Sequence, residues 1–157
     1  MIIKYLVRPI WQGSLKPNRI VLSNDSCFTI DGKEYWIPKF YEVDGASIPK
    51  ILWYIAGTPF EPDNVEPGIA HDPLYLTHKL PRSLADEVLF QLKYNHEIMI
   101  KTKPWLARYR SYKMWSGVRI GGAFAWNNSK EDKAELQRVR NILINRPDVD
   151  KFVSLWF

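Results

Sequence analysis

Cysteine is almost missing from this chain. Cys27 is the single one in 157 residues. No intrachain disulfide can form, and a metal centre built on several thiolates is excluded. Cys27 stands in the alternating run Cys27-Phe28-Thr29-Ile30, the setting of a buried small hydrophobe rather than a reactive thiol. No apolar run is long enough to cross a bilayer as a helix. The opening residues, Met1-Ile2-Ile3-Lys4-Tyr5, carry no charged leader before an apolar stretch, so no signal peptide is expected. Internal repeats, low-complexity tracts and obvious linkers are absent, and a single domain over residues 1–157 is the expectation. No His-Glu-x-x-His pattern occurs. Gly121-Gly122 lacks the lysine and spacing of a phosphate loop.

Aromatic residues, by contrast, are plentiful: seven Trp, eight Tyr and seven Phe. With 46% apolar residues the chain can build a bulky, packed core. The net charge of +5 favours acidic partners, whether nucleic acid, anionic lipid, cell-wall polymer or an acidic protein, without choosing among them. The lone cysteine is compatible with a reducing cytoplasm.

The first 42 residues read mostly as strands, at 2–7, 19–22, 27–30 and 33–37, with Asp31-Gly32 as a hairpin turn. From Ser47 the apolar period becomes helical. Ser47 can cap a short helix carrying Ile51, Leu52 and Trp53. Residues 58–67 read as a loop, and 68–78 as a helix that Pro73 can break. Residues 81–95 form the clearest helix, with Leu84, Ala85, Val88, Leu89 and Leu92 on one stripe. Residues 103–126 make one long helix or two, weakened at Gly121-Gly122. A further helix starts at Ser129-Lys130-Glu131-Asp132 and turns Leu136, Val139 and Leu143 inward. Strands followed by helices predict an α+β fold, with a small N-terminal antiparallel sheet packed by three to five helices. Residues 43–126 would form the motif-bearing helical core, and 127–157 a C-terminal helical extension. The apolar tail Phe152 to Phe157 either docks on the parent domain or forms an external contact.

Chemistry concentrates between Val43 and Glu87. Asp44, His71, Asp72 and Asp86 are the candidate catalytic residues, and Ser47, Tyr75 and Arg82 the candidate substrate contacts. Three carboxylates and an imidazole suit a divalent ion such as Zn, Mn or Mg, with His71, Asp72 and Asp86 as ligands and Asp44 nearby. A metal-free alternative makes His71 a general base oriented by one carboxylate. Each segment also has a purely structural explanation. Asp72 before Pro73 can cap a helix, His71 can then be a turn residue, and Asp44 before Gly45 can form an Asx-turn. On a helical wheel Asp86 flanks the apolar stripe, bordering the core without entering it, with Arg82 one turn before it. His78 and His96 are weaker candidates, the second a core or boundary residue.

At these positions the chain resembles a family of small phage and prophage proteins whose role is largely unassigned. The matching motifs are Asp-Gly-Ala-Ser-x-Pro (Asp44 to Pro49), His-Asp-x-Leu-Tyr (His71 to Tyr75), Arg-x-x-Ala-Asp (Arg82 to Asp86) and Val-Arg-x-Gly-Gly (Val118 to Gly122). They cover roughly the middle half of the chain. The resemblance implies a phage-encoded protein in which the polar residues of these motifs form one cluster. It implies no agreed activity.

A separate stretch interleaves bases and rings: Lys103, Trp105, Arg108, Tyr109, Arg110, Tyr112, Lys113, Trp115 and Arg119. Such mixtures bind single-stranded nucleic acid. Trp105, Tyr109 and Tyr112 also share a helical face at i, i+4 and i+7, the ordinary pattern for core packing, and that reading takes precedence. The expected function is a metal-assisted hydrolase acting on cell-wall material or a phosphorylated small molecule. The alternative is a non-enzymatic virion or accessory protein that binds a host, virion or nucleic-acid partner. Either would act in the host cytoplasm or the virion.

Overall fold

The computed structural model describes residues 1–14, 19–43, 62–127 and 130–157. Asp44 and Ser47, and the short helix expected after Ser47, lie outside the described residues. Six strands come first: β1 (Ile3–Val7), β2 (Trp11–Gly13), β3 (Ile20–Leu22), β4 (Ser26–Ile30), β5 (Lys33–Ile37) and β6 (Glu42–Val43). Among the described residues five helices follow: α1 (Pro62–Thr77), α2 (Arg82–Met99), α3 (Pro104–Trp126), α4 (Lys130–Leu143) and, after a 3-10 turn at Val149–Phe152, α5 (Val153–Trp156). The fold is α+β with its strands at the N-terminal end.

The strands form two antiparallel three-stranded sheets rather than one, ordered β1-β4-β5 and β2-β3-β6. β2 and β6 are the strands that sequence patterning did not predict. Two or three residues are too few for an alternation to register. The β4–β5 hairpin turns at Asp31 (φ 48°) and Gly32 (φ 86°). Positive φ at both central residues matches the strand twist, and Asp and Gly are the residues that tolerate it. The turn also anchors β1, because Ile2 N donates to Asp31 Oδ1 at 2.6 Å. β4 is central and buried, with Phe28 stacked on Tyr35 at 5.2 Å. Cys27 is fully buried, and burial raises its thiol to about 11, so it stays an inert thiol at neutral pH.

Helix α1 runs unbroken through Pro67 and Pro73 and starts inside the segment read as a loop. Proline removes one N–H per position, but residues 64–76 are all buried, and packing on every side overrides that local cost. Asp72 therefore sits mid-helix, and neither the cap at Asp72 nor the turn at His71 exists. The helix ends where His78 turns to φ 52°. α2 lies between α1 and α3 and contacts both extensively. Its buried face carries Ala85, Val88, Leu89 and Leu92 from the stripe read in the sequence, and continues to His96 and Glu97. α3 is one continuous helix with proline in its first turn.

The C-terminal segment folds back onto the sheet. Phe152, Leu155 and Trp156 are fully buried, and Trp156 Nε1 donates to Trp36 O at 2.9 Å. Asp25 pins this return, accepting two bonds from Arg146 (3.0 and 2.7 Å) and one from Lys151 (2.9 Å). Burial opposes the charge of Asp25, yet the bonds from Arg146, Lys39 N and Lys151 hold its pKa below the ordinary value. Asp25→Ala is expected to lower stability by roughly 1–2 kcal/mol. It removes the Arg146 and Lys151 bonds to the residue that precedes β4, while Asp148 still pairs both cations within the tail. Urea unfolding followed by tryptophan fluorescence measures it, and an unchanged midpoint would show that the tail docks without help from Asp25.

Candidate functional site

His71 and Tyr75 lie one turn apart on α1, so the 3.6-residue period stacks them on one face. Their rings are 4.1 Å apart. Asp86 enters from the second turn of α2, and Arg119 and Gly122 come from α3. Three helices thus meet at one carboxylate. Asp86 Oδ1 accepts from Tyr75 OH at 2.6 Å and bonds His71 Nε2 at 3.1 Å. Oδ2 accepts from Arg119 Nη1 at 2.9 Å, with Arg82 Nε at 3.9 Å. Asp86 is 0% exposed, as is His71. The wheel placed Asp86 at the margin of the core. It is inside the core because α3 covers that flank of α2 with Arg119.

Arg82 does more than pair with Asp86. Its Nε donates to Tyr75 OH at 3.2 Å, and its Nη2 donates to the carbonyls of Val118 and Arg119 at 3.2 and 2.5 Å. One guanidinium thus joins α1, α2 and α3. Tyr75 OH donates to Asp86 and accepts from Arg82, so its proton and one lone pair are both engaged. Trp126 closes the outer side, edge-on to Tyr75 at 4.9 Å and stacked on His78 at 4.2 Å.

Protonation states follow from these contacts. Burial works against a charge on Asp86, but the bonds from His71, Tyr75 and Arg119 together hold its carboxyl below the ordinary range. Burial likewise lowers the pKa of His71, and its bond to Asp86 only partly offsets this. An ionised carboxylate can only accept, so a neutral His71 must donate its Nε2–H to Asp86. Nδ1 is then a bare lone pair. It is buried and, among the described residues, has no hydrogen-bond partner.

Asp72 is buried on α1, but points about 100° round the helix from His71. It is not among the partners of Asp86. Among the described residues no group of three or more His, Cys, Asp or Glu side chains is placed to hold a metal ion. Both oxygens of Asp86 already accept from protein donors, which suits it to orienting His71 more than to binding a cation directly. His96, read as a core or boundary residue, is buried beside Glu66 Oε2 (3.0 Å) and Asp63 Oδ1 (3.4 Å). Its bond to Glu66 raises its pKa, and burial opposes this only in part.

A family model described as a protein of unknown function, DUF1353, matches residues 20–117. The chain belongs to the DUF1353 family. No curated protein and no solved structure shows significant similarity to it. The DUF1353 match spans the segments from Asp44 to Pro49, His71 to Tyr75 and Arg82 to Asp86, and ends just before Val118. Arg119 and Gly122 therefore complete the site of this DUF1353 protein from beyond the matched residues. The candidate site residues read from the sequence did not include them, although the resemblance implied that Arg119, as the polar residue of the Val118 to Gly122 motif, joins the same cluster. The signal was the Val118 to Gly122 motif, whereas the charge pattern placed Arg119 only within a basic run.

Gly122 makes room for the site. A Cβ there would lie 2.5 Å from the Tyr75 hydroxyl. Gly122→Ala is expected to destabilise the protein by about 1–3 kcal/mol through overpacking. Gly13→Ala, where a Cβ meets nothing within 4 Å, should stay near neutral in the same urea titration.

The two histidines give opposite pH signatures. His71 resists protonation when folded while the unfolded chain accepts it, so its contribution falls as pH drops below about 6.5. Asp86 adds a further loss at lower pH, as the solution falls through its depressed folded value. His96 stabilises below about 6.5 and loses that contribution as pH rises through its raised folded value. Urea midpoints across pH 5 to 8 are thus expected to rise with pH less steeply in His71→Gln than in the wild type, and more steeply in His96→Gln. Parallel curves for all three proteins would contradict these protonation states.

Proposed function

We propose that the protein is a phage-encoded hydrolase in which His71 is the general base and Asp86 its positioning carboxylate. One observation carries the reading: the Nδ1 lone pair of a buried, neutral His71 has no partner among the described residues, while Nε2 is locked to Asp86. A buried acceptor left unmade costs about 1–3 kcal/mol, which a water or substrate hydrogen at Nδ1 would relieve. Nδ1 would take a proton from water as the water oxygen adds to a carbonyl or phosphoryl centre. Asp86 would stabilise the imidazolium. The proton would then pass from Nδ1 to the leaving group as its bond breaks, regenerating the base.

Tyr75 and Arg82 hold Asp86 in this scheme and do not need to reach the substrate. A divalent Zn, Mn or Mg ion at Nδ1 is the metal-assisted form of the same reading, with Asp86 as the outer carboxylate that orients a ligating histidine. Cell-wall material or a phosphorylated small molecule is the proposed substrate class, and the net charge of +5 favours the anionic members. A second reading rests on the complete burial of His71 and Asp86. In it the protein is a non-enzymatic virion or accessory component, and the network only fixes three helices.

The test compares wild type with His71→Gln on peptidoglycan and on an aryl phosphate, with and without chelator, after circular dichroism shows a shared fold. The wild type is expected to turn over one substrate class. His71→Gln should lose at least about a hundredfold of that rate, and chelator should leave the wild type active. Loss of activity with chelator, together with bound metal by elemental analysis, would assign Nδ1 to a metal ion. An inactive wild type whose His71→Gln form differs only in stability would establish the second reading.

A further inference from the structure

The long helix α3 carries two stripes on opposite sides. Ala107, Ser111, Met114, Val118 and Gly122 are buried and face the rest of the protein. These are mostly small residues, which let α3 approach closely. The opposite stripe carries Trp105 (69% exposed), Tyr109 and Tyr112 (57% each). The expectation that these three rings pack in the core is therefore wrong. The helix had two faces with helical spacing, and the smaller side chains were the ones buried. That outcome removes the argument that had set nucleic-acid binding aside.

Large rings in water need a reason, and the surrounding charge indicates one. α3 contains Arg108, Arg110, Lys113 and Arg119 and no acidic residue; Arg110 pairs with Glu97 and Arg119 with Asp86, so Arg108 and Lys113 are the cations offered to a ligand. Bases and rings alternate in contact: Lys113 lies over Tyr109 at 5.9 Å, and Arg119 lies over Trp115 at 5.9 Å. Tyr112 stacks on Trp115 at 5.5 Å. From Trp105 to Arg119 the stripe extends about 21 Å, at 1.5 Å per residue. Beside it a groove of about 420 Å³ opens between α2 and α3, lined by Phe90 and Tyr94 on one side and by Arg108, Tyr112 and Trp115 on the other. Glu87, the acid in this groove, accepts a bond from Gln91 at 2.9 Å.

We propose that the outer face of α3 and the α2–α3 groove bind single-stranded nucleic acid. Bases stack on Trp105, Tyr109 and Tyr112 and enter the groove between Tyr94 and Trp115, while phosphates meet Arg108 and Lys113. A flat apolar surface would suit a protein or a second copy of this chain. Four groove rings flanked by cations on an acid-free helix suit a polyanion that carries its own rings. The inference is independent of the role of His71.

Fluorescence anisotropy with labelled oligodeoxythymidylate and oligouridylate tests it on the full chain. Binding should weaken about tenfold or more between 50 and 200 mM salt, as phosphate neutralisation by several bases requires. Trp105→Ala and Tyr112→Ala should each weaken it roughly tenfold, one stacked base being worth about 1–3 kcal/mol. Both rings are exposed, so thermal midpoints should stay unchanged. Arg108→Ala should weaken binding and flatten the salt dependence. Oligonucleotide-dependent quenching of tryptophan fluorescence should disappear in a Trp105→Ala, Trp115→Ala double variant. The proposal is overturned if the wild type binds no oligonucleotide at 50 mM salt, or if binding survives removal of all three rings. Self-association abolished by the ring variants, with no oligonucleotide bound, would equally overturn it and assign the face to a second copy.

Discussion

The buried carboxylate of Asp86 ties helices α1, α2 and α3 to one another. Taking such a group out of water carries a penalty of several kcal/mol, and only close, well-aligned donors offset it. Here the donors come from α1 (His71 and Tyr75) and from α3 (Arg119), while Asp86 itself belongs to α2. Any sliding of one helix along another would strip a donor from a buried charge. Arg82 extends the constraint by donating to carbonyls of α3 from the start of α2. Apolar packing brings the helices together without specifying their exact alignment, and the polar knot supplies that specification.

The same knot sets the chemistry of His71. An ionised Asp86 dictates which ring nitrogen carries hydrogen, and burial keeps the ring neutral. The outcome is a preformed lone pair at Nδ1, held in one orientation by the packed Tyr75 ring. Residues that would bind substrate in an exposed site, Tyr75 and Arg82, are committed here to holding the carboxylate. Stability and the proposed reactivity therefore rest on the same bonds.

Much of the architecture was legible from short-range pattern. The Asp31-Gly32 hairpin, the 27–30 and 33–37 strands, and the Leu84 to Leu92 stripe all have local causes, a turn residue or a period, and local causes survive folding. Local rules gave way where packing energy outweighed them. Pro73 did not end α1, because that helix is enclosed on all sides. β2 and β6 are three and two residues long and exist through their pairing with β3. On α3 two stripes had equally good helical spacing, and pattern alone favoured the bulkier one.

The amino-acid sequence by itself determined the α+β class, the inertness of Cys27 and the residues from which a site could be assembled, because these follow from composition, turn chemistry and periodicity within a few positions. Tertiary structure alone decided that His71 and Asp86 share a bond while Asp72 turns aside, that Arg119 completes the carboxylate's shell, and that the rings of α3 face water. Those outcomes depend on which helix covers which flank. Contacts between residues separated by fifteen to thirty-three positions decide that, and no local pattern encodes them.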